Sequence, residues 1–179
     1  MSSLEFITYG DAERVSQNFR ITADKATPLA MRGALYEIAG EMMIAEGTMF
    51  RTQGRRFGGS WKHLKPDTVR KKGHGRILFT AGSKPKYDYI NNNALYRSLT
   101  YPNASYQILN IFGYDLEFGT ERPYAWVHQR GSAKRNIPPR PFLAFGRGDR
   151  ERWNVILRRH LRYAGGASGS GSGRGIGLF

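Results

Sequence analysis

Three prolines fall within Ile137-Pro138-Pro139-Arg140-Pro141, and they restrict the conformation of this chain more tightly than any other stretch. Each fixes φ and removes a backbone donor, so the run has to be extended and is excluded from the middle of a sheet. It lies in the segment from Phe118 to Phe145, FGTERPYAWVHQRGSAKRNIPPRPFLAF, with five aromatics, one His, four Arg and four Pro. Arg122-Pro123 marks a boundary, because the residue before proline leaves the α region while proline suits a first helical turn. A short helix is predicted from about Pro123 to Gln129, with Tyr124, Val127 and His128 on one face and Gly131 closing it. A polar, basic loop over Ser132 to Asn136 follows, and Phe142, Leu143 and Phe145 return to the core.

Large rigid aromatics beside arginines are what buried contact surfaces select. The candidate subunit or partner interface is therefore Tyr124, Trp126, His128, Gln129, Pro138, Pro139, Arg140 and Phe142. Arg140 can bind a carboxylate on a neighbouring subunit through its planar fork, a geometry that lysine does not reproduce.

With 179 residues and a 40% hydrophobic fraction, the chain is long enough to bury one real core. No apolar run reaches the length of a membrane span, and the mixed, acidic start lacks a signal-peptide pattern, so the protein is expected in the cytosol. The absence of cysteine excludes disulfides, thiolate nucleophiles and Cys-ligated metals. Net charge is +14, unevenly spread: residues 1–50 hold four basic and seven acidic side chains, residues 51–100 twelve basic and two acidic. Such a patch faces an anionic partner, whether nucleic acid, acidic protein or membrane surface, or simply water.

Residues 1–26 are weakly patterned, with a short strand and an amphipathic helix expected. Thr27-Pro28 then opens a helix of about 20 residues, whose stripe Met31, Leu35, Ile38, Met42, Ala45 and Met49 repeats by fours and threes. Arg32, Glu37, Glu41 and Glu46 are read as lying off that stripe, and the stripe as core. From Arg51 the chain becomes a long, Gly-rich basic loop over 51–76. One reading is a flexible arm anchored by Phe57 and Trp61, with Arg51, Arg55, Arg56, Lys62, Lys65, Arg70, Lys71 and Lys72 facing a lumen or partner. The other is a short helix over Asp67 to Lys72, N-capped by Asp67 and packed through Trp61 and Leu64. Gly58-Gly59-Ser60 lacks the spacing of a phosphate loop.

Ile77-Leu78-Phe79 reads as a short strand, Ser83 to Asn93 as a polar insertion, and Ala94 to Leu99 as a short helix. Tyr106 to Phe112 is the best strand signal, bounded by Pro102-Asn103 and Gly113. A last helix is expected after Asp149 as N-cap, burying Trp153, Ile156, Leu157, His160 and Leu161, with Arg152, Arg158, Arg159 and Arg162 on its other faces. The domain is placed at 1–163, with a flexible Gly/Ser-rich tail at 164–179. His63, His74, His128 and His160 are scattered, and the carboxylates form no metal-binding pattern. No catalytic, cofactor or metal site is expected, and the chain is read as a non-enzyme.

Phe57, Trp61, Leu64, Thr68 and Lys71, then Ile77-Leu78 and Gly82, then Leu95-Tyr96-Arg97-Ser98-Leu99, lead to the motif Tyr124-Ala125, His128-Gln129, Gly131 and Ile137-Pro138-Pro139-Arg140-Pro141-Phe142-Leu143. In this order they resemble the virion morphogenesis, or tail completion, family of tailed bacteriophages, over roughly residues 28–163. The insertion Ser83 to Asn93 departs from the family pattern. The resemblance implies an α+β fold, with a small antiparallel sheet packed against a long helix and a C-terminal helix, and assembly into a ring. It implies a structural protein of the head–tail neck, completing the head-proximal end of the tail and joining it to the head connector. The implied partners are other copies in a hexameric ring, the tail tube protein and the connector or stopper protein, with transient contact to genomic DNA in the lumen and none to membrane. It would reside in the virion neck, and in host cytoplasm during assembly. The competing reading is a nucleic-acid-binding module using residues 51–76, whose affinity would fall steeply with salt.

Overall fold

In the computed structural model, residues 3–10, 15–22, 28–72, 77–78 and 94–166 are described. The chain starts with two strands, β1 (Ser3–Gly10) and β2 (Val15–Thr22), so the helix expected in this region is replaced by a hairpin. Helix α1 (Pro28–Arg51) follows, then a 3-10 turn (Arg55–Phe57) and α2 (Pro66–Lys72). After α3 (Ala94–Thr100) come β3 (Gln107–Phe112), β4 (Asp115–Thr120), α4 (Ala125–Arg130) and α5 (Arg147–Gly166). The fold class is α+β, as expected.

The four strands form one antiparallel sheet in the order β1-β2-β4-β3, so β4 is inserted between β2 and β3. Gly113, at φ +58, opens the tight turn that joins β3 to β4. Leu109 pairs with Phe118 and Ile111 with Leu116, and these pairs meet the core on one face of the sheet. Phe112 lies across from Asp115 and is 69% exposed. Helix α1 runs over β3 and β4, and α3 and α5 flank it.

Every residue of the predicted α1 stripe is buried. Phe50 is the hub: its ring meets Trp61 edge-on at 5.6 Å, Tyr96 at 5.6 Å and Phe142 at 5.8 Å. Burying each such side chain contributes roughly 1.5–3 kcal/mol. Glu46, expected off the stripe, is fully buried. Its spacing explains the correction, because it falls four residues after Met42 and four before Phe50, on the same side of the helix.

Further differences are local. Ile77 and Leu78 form a turn rather than a strand, with Leu78 at φ +57 and Ile77 buried. Helix α2 starts at Pro66, which puts Asp67 inside its first turn instead of at the cap. Helix α5 likewise starts before Asp149, whose Oδ2 accepts from Gly146 N at 2.8 Å, the acid-to-cap half of a capping box. Trp153, Ile156 and Leu157 are buried as expected, and α5 runs to Gly166, past the boundary placed at 163. The insertion at 83–93 and residues 167–179 lie outside the described residues.

Candidate interface groove

The proline run is extended, and its neighbours supply partners for its backbone. Gly131, at φ +81 and ψ 175, turns the chain out of α4 in a conformation open essentially to glycine alone. A Cβ there would lie 2.7 Å from Pro139 N and 2.9 Å from Ile137 O. Ser132 and Ile137 exchange backbone bonds at 2.8 and 2.9 Å, closing the basic loop into a narrow hairpin. Beyond it, Arg140 N donates to His128 O at 2.7 Å, and Trp61 Nε1 donates to Pro141 O at 2.9 Å. Gln129 completes the clasp: Oε1 accepts from Phe142 N at 3.0 Å and Leu143 N at 3.1 Å, while Nε2 donates to Leu143 O at 3.1 Å.

These bonds sort the predicted interface residues into two groups. Phe142 is in the core and Gln129 is engaged in holding the backbone, so both support the edge from behind instead of presenting a contact surface. Tyr124 and Pro139 are exposed, and Trp126, His128 and Pro138 are half-buried. Arg130 stacks on the Trp126 ring at 4.2 Å, and the Tyr124 and His128 rings meet edge-on at 5.9 Å. Burial pushes the Tyr124 phenol above its ordinary range, against the opposing pull of Arg122 and a backbone bond at Leu95.

The basic stretch is docked on the domain. Trp61 is buried beneath it, and Gly54, at φ +85, leaves room for the indole, since a Cβ would sit 2.5 Å from Trp61 Cδ1. Arg56 pairs with the buried Asp149, and its guanidinium lies over the Phe57 ring at 4.9 Å. These two residues therefore fix the stretch in place and do not offer free charge. Arg70 pairs with Asp67 at 3.1 Å on the surface. Arg51, Arg55, Lys62, Lys65 and Lys71 are exposed.

Two stretches read from the sequence as separate surfaces meet in one place. A groove of about 720 Å³ runs between residues 62–68 and the 132–138 hairpin, with α3 at its floor. Lys62 and Lys65 line it together with Tyr124, His128, Pro138 and Arg140. Sequence reasoning missed Leu64, Leu95 and Arg135 as lining residues, since only the fold brings them together. Arg140 is 6% exposed, and among the described residues its guanidinium makes one hydrogen-bond contact, from Nη2 to Lys62 O at 3.5 Å, the outer limit of such a bond. Its Nε has no partner, and burial draws the guanidinium below its ordinary pKa.

Under the basic stretch lies a second buried ionisable group, Glu46. Both oxygens of Glu46 lack a hydrogen-bond partner, and the nearby Ala144 N–H is directed to Phe142 O at 3.0 Å. Burial raises the Glu46 carboxyl well above the carboxylate range; Asp149 adds to the effect, and Arg56 and the Ala144 amide oppose it. On the far side of α1, Glu37 is bonded by Arg159 and, at 3.0 Å, by His160 Nε2. Gly33 lets that imidazole approach α1, since a Cβ would sit 3.2 Å from the ring.

Among the described residues there is no group of metal-ligating side chains and no helix long and apolar enough to cross a membrane. Residues 11–162 match the protein-family model of the phage virion morphogenesis family. No curated protein and no solved structure matches the chain.

Proposed function

The chain belongs to the phage virion morphogenesis family, a family with a role in building the virion, and from that premise we propose that it works at the head–tail neck. It completes the head-proximal end of the tail and joins it to the head connector. The observation that carries this reading is the extent of the match, residues 11–162, which takes in the strands β2, β3 and β4, the helical layer and the proline-rich edge together. As a neck component it acts as a homo-oligomeric ring, hexameric to follow the tail, between tail tube protein and connector or stopper. Its work is structural, without chemistry of its own.

A ring interface is heterologous, so each subunit needs two different surfaces. The sheet has two different outer strands, β1 and β3, and the edge carrying Tyr124 and Pro139 is a third exposed feature. The exposed cations Arg51, Arg55 and Lys71 suit an anionic neighbour or DNA passing through the lumen.

The test is to mix the purified protein with assembled tail tubes, image them by electron microscopy and measure the mass of the protein alone. Added density capping one end of the tube is expected, with a rotational symmetry that reports the copy number. Bare tube ends, together with tight DNA binding that weakens steeply with salt, would replace the neck reading with the nucleic-acid module.

A further inference from the structure

The groove between residues 62–68 and the 132–138 hairpin holds a cation whose partner is missing. Lys62, Lys65, Arg135 and Arg140 line it, and no carboxylate does among the described residues. The exposed lysines are solvated and need nothing. Arg140 differs, because its guanidinium is withdrawn from water, its Nε is bare, and Lys62 O supplies contact only at 3.5 Å. A buried charge without a partner is costly, and arginine cannot relieve the cost by losing its proton at neutral pH.

Leu64, Leu95, Ile137 and Pro138 give the walls apolar patches, interleaved with uncharged hydrogen-bonding groups such as Thr68, Ser132 and Asn136. The volume is that of a small-ligand site. An occupant has to bring both an anion and apolar flanks. The phosphate backbone of a nucleic acid duplex offers anions without apolar flanks, whereas an extended peptide with Asp or Glu between apolar side chains offers both.

We propose that this groove receives an extended acidic segment of a partner protein other than this chain, with a carboxylate seated on the Arg140 guanidinium. A second copy is a poor source. The chain carries +14, and of its fourteen acidic residues Glu37, Asp67, Glu117, Asp149 and Glu151 already hold partners within the fold. The proposal rests on reading this face as an assembly surface, and it names the chemistry of what docks there.

The experiment measures fluorescence anisotropy of the full chain with two labelled heptapeptide pools. In one, Leu and Val alternate with Asp and Glu; in the other, Asn and Gln replace the acids. The acidic pool is expected to bind at least about tenfold more tightly, the scale of one charge-assisted pair. Arg140→Gln and Arg140→Lys should each remove most of that margin, the latter because an ammonium lacks the fork. Arg147→Gln, on the exposed start of α5, should leave it unchanged. Should circular dichroism show the Arg140 variants unfolded, the double variant Lys62→Gln and Lys65→Gln, exposed on the groove wall, carries the test in the same direction.

Equal binding of the two pools, no binding of the acidic pool, or binding indifferent to Arg140 and to the two lysines would each overturn the proposal. So would displacement of the acidic pool by a single-stranded oligonucleotide whose own binding needs Arg140. A protein that binds the acidic pool but leaves tail tubes bare would retain the groove and lose the neck reading; the converse result would do the opposite.

Discussion

Glu46 in the helical layer and Arg140 in the proline-rich edge are both buried with polar atoms left bare, yet their situations differ in kind. The carboxyl can shed its charge by taking a proton, so the layer satisfies itself at the expense of pH-dependent stability. The guanidinium has no such exit and stays charged, so the edge reaches its lowest free energy only when something anionic arrives. Around them the two regions are also held differently. The layer is packed ring against ring on Phe50, whereas the edge is held by backbone bonds, the Gln129 clasp and one glycine. A stability problem solved internally suits a scaffold, and one left open suits the docking proposed for the edge.

The largest expected effect breaks the scaffold side. Phe50→Ala removes a fully buried ring at the meeting point of Trp61, Tyr96 and Phe142, and should cost about 3–5 kcal/mol by denaturant unfolding. Loss should be global, with α1 and the sheet melting together. A cost below about 1 kcal/mol would mean that packing on Phe50 does not organise the layer.

Next comes the edge. Gly131→Ala forces a side chain into a conformation and a space that only glycine tolerates, at a cost of about 3 kcal/mol. Here hydrogen exchange should be uneven. The amides of Ser132, Ile137 and Arg140 should lose protection while those in the middle of α1 keep theirs. Uniform loss across both regions would erase the distinction between scaffold and edge.

How much could be read from the sequence follows the same division. The α1 stripe, β3 and the apolar face of α5 were legible because a strong period of 3.6 or 2 survives in a single sequence. The extended proline run was legible because proline acts on its own backbone whatever surrounds it. The β1–β2 hairpin was not, although Val15, Phe19 and Ile21 alternate with Ser16, Asn18 and Arg20, because Gln17 interrupts that face and the adjacent pair Phe6-Ile7 blurs the period in β1. Glu46 was misjudged by its residue type although its spacing to Met42 and Phe50 gave its place. For the groove, no local pattern announces that Lys62, Leu95 and Arg140 converge; that depends on tertiary structure, as does the bare Nε of Arg140.

Glu46→Gln should have a smaller effect and the opposite sign. Burial raises the folded-state pKa well above the ordinary 4.5, so the unfolded chain ionises first as pH rises. Stability is then whole at pH values below the unfolded pKa and falls as pH climbs toward the folded value. A neutral isostere escapes that loss. Thermal scans should show Glu46→Gln matching the parent near pH 4 and exceeding it at pH 7 by roughly 2–4 °C, what about 1 kcal/mol does in a chain of this size. A variant less stable at pH 7 would mean that Glu46 is ionised in the fold, held by Arg56.

Glu37 gives the smallest effect, and its pH dependence runs the other way. Its carboxyl is held below the ordinary range first by the bond from Arg159, then by that from His160. A depressed folded pKa contributes stability that is present above the unfolded value of 4.5 and lost as pH falls through the folded value. Because the group is 40% exposed, solvent screening reduces the gain to well under about 1 kcal/mol. Glu37→Gln should thus lower the midpoint slightly at pH 7 and not at pH 3, and added salt should shrink the difference. The two substitutions have opposite signs on one helix: Glu46, inside the layer, gains from losing its charge, and Glu37, on the rim, loses by it. In the double variant Glu37→Gln with Glu46→Gln, the two shifts should add, since the residues lie on different faces of α1 and share no partner. Departure from additivity at pH 7 would show that the ion pair between α1 and α5 senses the buried carboxyl, and that the scaffold is electrostatically coupled from rim to core.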